Sequence, residues 1–179
     1  GDVYKRQGDV TREDVTQTTP MLLACGGGYL DICKWLLTAG AGRDVSRPNA
    51  DGETPMLKAC YNGHLHVCEW LLEQGADGDI CRPNTFGSTP LLWCCARGHL
   101  SLCRWLHKHG AAKDIRTPDK HGMSPMLWAC MKGHLSICKW LYEVGAAGDV
   151  AVTDAGGYTP MLRAYWGNRS PVCQWLILN

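Results

Sequence analysis

Three residue types recur along the chain at one fixed step. Prolines stand at 20, 55, 90, 125 and 160, tryptophans at 35, 70, 105, 140 and 175, and cysteines at 33, 68, 103, 138 and 173, so each series advances by 35 residues. Such a step marks one supersecondary unit copied five times, too small to bury its own apolar surface and stable only when stacked on its neighbours. The 179 residues are 45% hydrophobic and 20% charged, with a formal net charge of +1, an ordinary globular composition that excludes disorder and collagen. Near-neutrality argues against binding driven by a global attraction to phosphate. No apolar run approaches the ~18 residues of a membrane helix, and the N-terminus lacks the apolar core of a secretory signal.

Each copy carries its own punctuation. Thr19, Thr54, Thr89, Ser124 and Thr159 are hydroxyl N-caps, each followed by Pro at the first helical position, where a missing N–H does no harm. That predicts a short first helix. Gly28, Gly63, Gly98 and Gly133 then supply the left-handed backbone of a tight reversal, with Asn168 in that place in the fifth copy. A second helix follows and stops at Gly40, Gly75, Gly110 and Gly145, after which Asp, Pro, Asn and Gly accumulate in connections expected to be loops or hairpins.

On a helical wheel of the second helix, Leu30, Cys33 and Leu37 form one apolar stripe, and Ile32, Trp35, Leu36 and Ala39 form another nearly opposite. Only Asp31, Lys34 and Thr38 are left for water, and the later copies repeat the arrangement. A helix that is apolar on two faces is expected to be sandwiched between neighbours.

The unit reads, in its second copy, Thr54-Pro55-Met56-Leu57-Lys58-Ala59-Cys60, then Gly63-His64-Leu65, then Val67 to Leu72, then Gly75-Ala76. This resembles the ankyrin repeat, with its Thr-Pro-Leu-His-x-Ala-Ala helix, Gly-His turn and Gly-Ala stop, over roughly residues 17 to 179. The resemblance implies an all-α solenoid of about five helix-turn-helix repeats with hairpin or loop connections. Two departures stand out. The unit exceeds the family's usual length by two residues, placed in connections such as 78 to 83, which should lengthen the hairpins. The family's His is Leu in Thr-Pro-Met-Leu and its variants, so apolar packing and the Trp ladder are expected to compensate for the lost hydrogen bond.

Residues 1–7, GDVYKRQ, resemble translated adapter sequence, and 8–18 read as the remnant of a preceding repeat's connection, because Gly8-Asp9-Val10 lies one step before Arg43-Asp44-Val45. The repeat domain is placed at 19–179, with repeats beginning at 19, 54, 89, 124 and 159. The last stops inside its second helix at Asn179, so the natural protein is expected to continue in both directions.

Cys-x3-His-x3-Cys recurs at Cys60, His64 and Cys68, at Cys95, His99 and Cys103, and at Cys130, His134 and Cys138. Zinc would favour such ligands, but a Gly precedes each His, so each triplet straddles a helix reversal, and the terminal copies lack the His. Buried packing is the reading adopted. Disulfides between equivalent cysteines are not expected, since stacked helices lie about 8–10 Å apart while a bridge needs Cα atoms within about 7 Å. Reduced thiols favour the cytoplasm or nucleus. Cys94, Cys95 and Cys81 are the thiols least explained by the pattern, with a redox role for them left open. No phosphate-binding loop, metalloprotease pair or nucleophile elbow is present, so no catalytic residue, cofactor or metal is assigned and the chain is not read as an enzyme.

The first helix has positions that barely change between copies, such as Met21, Leu22, Ala24 and Cys25, and a freely varying set at i, i+3 and i+4 on one face. In the family that face lines the concave groove and meets partners. The residues assigned to partner binding are Lys58, Tyr61, Asn62, Trp93, Arg97, Trp128, Met131, Lys132, Arg163 and Trp166. Four are basic and none acidic, and aromatic and Arg side chains are the types that anchor interfaces. The expected function is a non-catalytic scaffold, monomeric as a module, binding a protein or peptide of acidic or phosphorylated character. The hairpin residues Asp51, Glu53, Phe86, Lys120, His121 and Tyr158 are secondary candidates. Packing of Trp93 and Trp128 on adjacent repeats is the competing structural reading. Two alternatives remain: a substrate-recruiting fragment of a larger enzyme or signalling protein, and single-stranded nucleic-acid binding by aromatic stacking beside cations.

Overall fold

A computed structural model describes residues 9–179. The adapter-like segment Gly1 to Gln7 lies outside them. Among the described residues ten α-helices fall in five pairs: α1 (Pro20–Gly27) and α2 (Leu30–Thr38), α3 (Pro55–Asn62) and α4 (Leu65–Glu73), α5 (Pro90–Arg97) and α6 (Leu100–Lys108), α7 (Pro125–Lys132) and α8 (Leu135–Leu141), α9 (Pro160–Trp166) and α10 (Ser170–Ile177). No strand occurs among the described residues. The chain divides into two compact units, one ending at Asp79 and the other running from Ile80 to Asn179. In the first, α1 packs on α3. In the second, α5 packs on α7 and α7 on α9.

The expected start signals operate in all five copies. Thr19, Thr54, Thr89, Ser124 and Thr159 each accept a hydrogen bond from the backbone N–H three residues on, at 3.2–3.3 Å. Each such cap stabilises its helix by about 1 kcal/mol. Gly28, Gly63, Gly98 and Gly133 have φ of +75° to +90°, and Asn168 takes φ +55° at the fifth reversal. At two of these turns glycine is needed for a second reason. A Cβ on Gly28 would stand 2.6 Å from the His64 ring and one on Gly98 2.7 Å from the His134 ring. The Gly-His pair therefore works across repeats within each unit, His64 covering the Gly28 turn and His134 the Gly98 turn.

The near-constant residues of the first helix form the core. Met21, Leu22, Ala24 and Cys25, their counterparts in α3 and α7, and Leu91, Leu92, Cys94 and Cys95 of α5 are all buried. The fifth copy opens out, with Leu162 and Tyr165 exposed. Along the second helices the double-faced burial holds for α4 and α8, where Val67, Trp70, Ile137 and Trp140 are buried. It does not hold for α2, whose Ile32 and Trp35 are exposed, because nothing among the described residues stacks there.

The connections are loops. Each begins with a short turn of tighter helix, such as Gly42–Val45 or Ala111–Arg116, and ends in a turn closed by two backbone bonds, such as Asn49 N–H to the Glu53 carbonyl and Gly52 N–H to the Asn49 carbonyl. Within each unit successive turns are joined by one further bond: Ala50 to the Thr16 carbonyl, Lys120 to Phe86 and Ala155 to His121. The fourth helix pair ends differently, in a wider turn over Tyr142–Ala146 containing Gly145 at φ +120°.

Candidate functional site

The varying face of the first helices is where sequence reasoning placed recognition. In the first unit Lys58 is half-buried and its Nζ pairs with Glu53 at 2.6 Å, while Asn62 donates from Nδ2 to the Gly26 carbonyl at 2.8 Å. Tyr61, one turn on from Lys58, is half-buried. Of these three, Asn62 is committed to the preceding helix and Lys58 to a loop carboxylate.

In the second unit Trp93 and Trp128 stand side by side, their rings 6.2 Å apart and tilted by 37°. Both are half-buried, so the packing expected of them on adjacent repeats is real, yet each keeps part of its ring accessible. The Trp128 indole N–H donates to Asp119 Oδ2 at 3.2 Å, and Lys132 Nζ lies 5.7 Å from the same ring. Such a cation over an aromatic face contributes about 0.5–1 kcal/mol at an exposed site. Met131 is half-buried, and Arg97 and Lys132 are exposed where their helices end. Arg163 donates from Nε to Asp154 Oδ2 at 2.7 Å, pairs with it again through Nη2, and lies 4.8 Å from the Tyr158 ring. Trp166 is 58% exposed and rests against Tyr158, with ring centroids 4.5 Å apart. Trp93, Trp128, Met131, Lys132, Tyr158, Arg163 and Trp166 thus form one aromatic and cationic face on α5, α7, α9 and their loops.

Loop carboxylates reach into this face, a feature the sequence reading missed. Asp119 and Asp154 each use Oδ1 to accept the N–H groups two and four residues ahead, building the loop turn. Oδ2 remains for a donor nine residues on, Trp128 in one repeat and Arg163 in the next. Burial works to raise the Asp154 pKa, but the N–H groups of Tyr158 and Gly156 and the Arg163 guanidinium outweigh it and hold it below the usual carboxylate range. The recurring Asp-x8-donor spacing was the available signal. Of the four cations assigned to recognition, Lys58 and Arg163 are neutralised from within the fold.

The Cys-x3-His-x3-Cys triplets come apart. Cys60 and Cys68 bring their sulfurs to 3.6 Å, as do Cys95 with Cys103 and Cys130 with Cys138, and Cys25 with Cys33 at 3.5 Å. All eight are buried free thiols. Two of the histidines face elsewhere: the His64 ring lies against the Gly28 turn, and the His134 ring lies 3.2 Å from the Ala96 carbonyl, where burial holds its pKa below the usual value. Among the described residues no group of three or more potential metal ligands gathers, and no helix is long and apolar enough to cross a membrane.

The model of the family described as ankyrin repeats (3 copies) matches residues 4–81, 78–154 and 113–179. No match was found among curated proteins. Members of that family are generally protein-protein interaction modules built on a fold that is generally non-catalytic. With capped helix pairs at a 35-residue step and a family match along nearly its whole length, the chain belongs to the ankyrin repeat family.

Proposed function

We propose that this chain is a non-catalytic interaction module that grips a protein or peptide through the first-helix face and the loop tips beside it. The observation that carries this reading is the cluster of Trp93, Trp128, Met131 and Trp166 on α5, α7 and α9, which leaves indole surface and a thioether accessible beside cations. Aromatic and Arg side chains in such settings supply most of the energy of protein interfaces. Lys58, Tyr61 and Asn62 extend the reading to the first unit, where internal partners already occupy Lys58 and Asn62. An acidic or phosphorylated partner suits the exposed cations Arg97 and Lys132.

The test is capture of partners from lysate by the immobilised chain, beside Trp93→Ala/Trp128→Ala/Lys132→Ala and a gentler Trp166→Ala/Lys132→Ala variant. Thermal melts establish that both variants fold. The expected result is loss of the same retained proteins with both variants and their retention by Lys139→Ala, on the polar strip of α8. A retained set indifferent to both would move recognition away from this face.

A further inference from the structure

The net charge of +1 conceals a division. The unit ending at Asp79 has seven Lys and Arg against twelve Asp and Glu, a net −5, whereas the unit from Ile80 has eleven against five, a net +6. Burial sharpens the contrast. In the second unit Asp114, Asp119, Asp149 and Asp154 are buried, which leaves Glu143 as its one exposed acidic side chain. Ten of its eleven cations are exposed. A charge asymmetry of this size between halves of a chain is a statement about partners, because a field of one sign steers a partner of the other.

The cations nearest the aromatic face are arranged in a way that selects among anions. Arg97 ends α5 and Lys132 ends α7, one repeat apart. Arg169 reaches back so that its Nε donates to the Met131 carbonyl at 3.2 Å, beside Lys132. Cations at helix C-termini are stabilised by the helix dipole, which accounts for Arg97 and Lys132 singly. It does not account for Lys120 on the loop tip, for Arg104, Lys108 and Lys139 on the second helices, or for the missing exposed carboxylates. A lone phosphate would need cations converging on one point. Here Arg97 stands one repeat away from Lys132 and Arg169, and packed helices lie about 8–10 Å apart. A peptide in the extended polyproline II conformation advances about 3.1 Å per residue with three residues per turn, so every third side chain faces the same way and meets the next repeat.

We propose that the unit from Ile80 to Asn179 docks an extended, carboxylate-rich protein segment along the face bearing Trp93, Trp128 and Trp166, with Arg97 at one repeat and Lys132 together with Arg169 at the next pairing acidic side chains three residues apart. This rests on the protein-binding reading above and assigns its partner a chemistry and a spacing. Single-stranded nucleic acid, which the near-neutral total charge argued against, meets the same cations. The accessible parts of Trp93 and Trp128 are narrower than a stacking platform needs, since both rings are half-buried and Lys132 lies against one of them.

The experiment is fluorescence anisotropy of the 179-residue chain with a labelled 15-residue peptide carrying Glu at every third position among Ser and Leu. Arg97→Glu/Lys132→Glu should weaken binding at least tenfold, and a peptide with Lys in place of Glu should bind that variant better than the unmodified chain. Arg104→Glu/Lys139→Glu changes net charge equally on the second helices and should alter affinity less than threefold. Circular dichroism checks that each variant folds. Equal loss from both pairs would overturn the docking assignment, as would tenfold tighter binding of oligo-dT of matched charge. If the Glu peptide fails to bind while lysate partners are still captured through Trp128 and Trp166 at high salt, the acidic assignment falls and the interaction face stands.

Discussion

Asp114 and Asp149 occupy the same place in successive repeats, both buried, yet they meet different company. Arg116 donates from Nε and Nη2 to Asp149 Oδ1, each at 2.8 Å. One repeat earlier that position is Cys81, whose thiol lies against Asp114. Burial pushes the Asp114 carboxyl above its usual range, only partly offset by Cys81 and Lys113, and burial with the Asp114 charge pushes the Cys81 thiol up to about 11. A carboxyl whose folded pKa is raised favours the folded state below the unfolded value of about 3.9 and loses that contribution as pH rises through the folded value. Cys81→Arg should reverse the sign by supplying the ion pair that Arg116 gives Asp149. The expected gain is about 0.5–1 kcal/mol at pH 7, with none at pH 3, where the carboxyl is protonated. Urea unfolding at the two pH values measures it, and an equal gain at both would mean that the arginine acts through packing instead of charge.

The elements were legible where one residue decides one local conformation. A hydroxyl before Pro gives a cap, a Gly gives a left-handed turn, and Asn168 substitutes for Gly at the fifth. What escaped was pairing across a turn. The thiol contacts need residues eight apart to meet after a reversal, and the Asp119 and Asp154 bonds need a loop to fold back on its own helix. Neither is a periodicity of helix or strand. The turn glycines allow the two requirements to be separated. Gly98 has φ +90° and a neighbouring His134 ring, whereas Gly75 has φ +88° and open space around its missing Cβ. Gly75→Ala should lose about 1–2 kcal/mol from backbone strain alone. Gly98→Ala should lose more, because the methyl displaces the ring that bonds the Ala96 carbonyl. In a His134→Ala background the Gly98→Ala loss should shrink to the Gly75→Ala value. Thermal unfolding of the unmodified chain, the three single variants and the Gly98→Ala/His134→Ala double variant gives the cycle and its reference, and an unchanged Gly98→Ala loss would place the whole cost in the backbone.

At the scale of the molecule, an array of identical motifs hides differences that only position creates. Trp35 and Trp140 share one sequence context, Cys-Lys-Trp-Leu, and the helical wheel gives them the same apolar face. Trp35 is nevertheless 59% exposed, and Trp140 is 6% exposed with the His107 ring set edge-on at 5.8 Å. The energy of this residue therefore belongs to the interface between repeats, as expected of a fold whose stability is a sum of repeat terms and neighbour terms. Trp140→Ala should cost about 3–5 kcal/mol, the usual loss for a large buried aromatic. Trp35→Ala should stay within about 1 kcal/mol, since little apolar surface is returned to water. Urea titrations of the two variants measure the difference. Comparable losses would mean that the tryptophan stabilises its own helix pair instead of the interface between repeats, and exchange protection of α2 amides would then match that of α8.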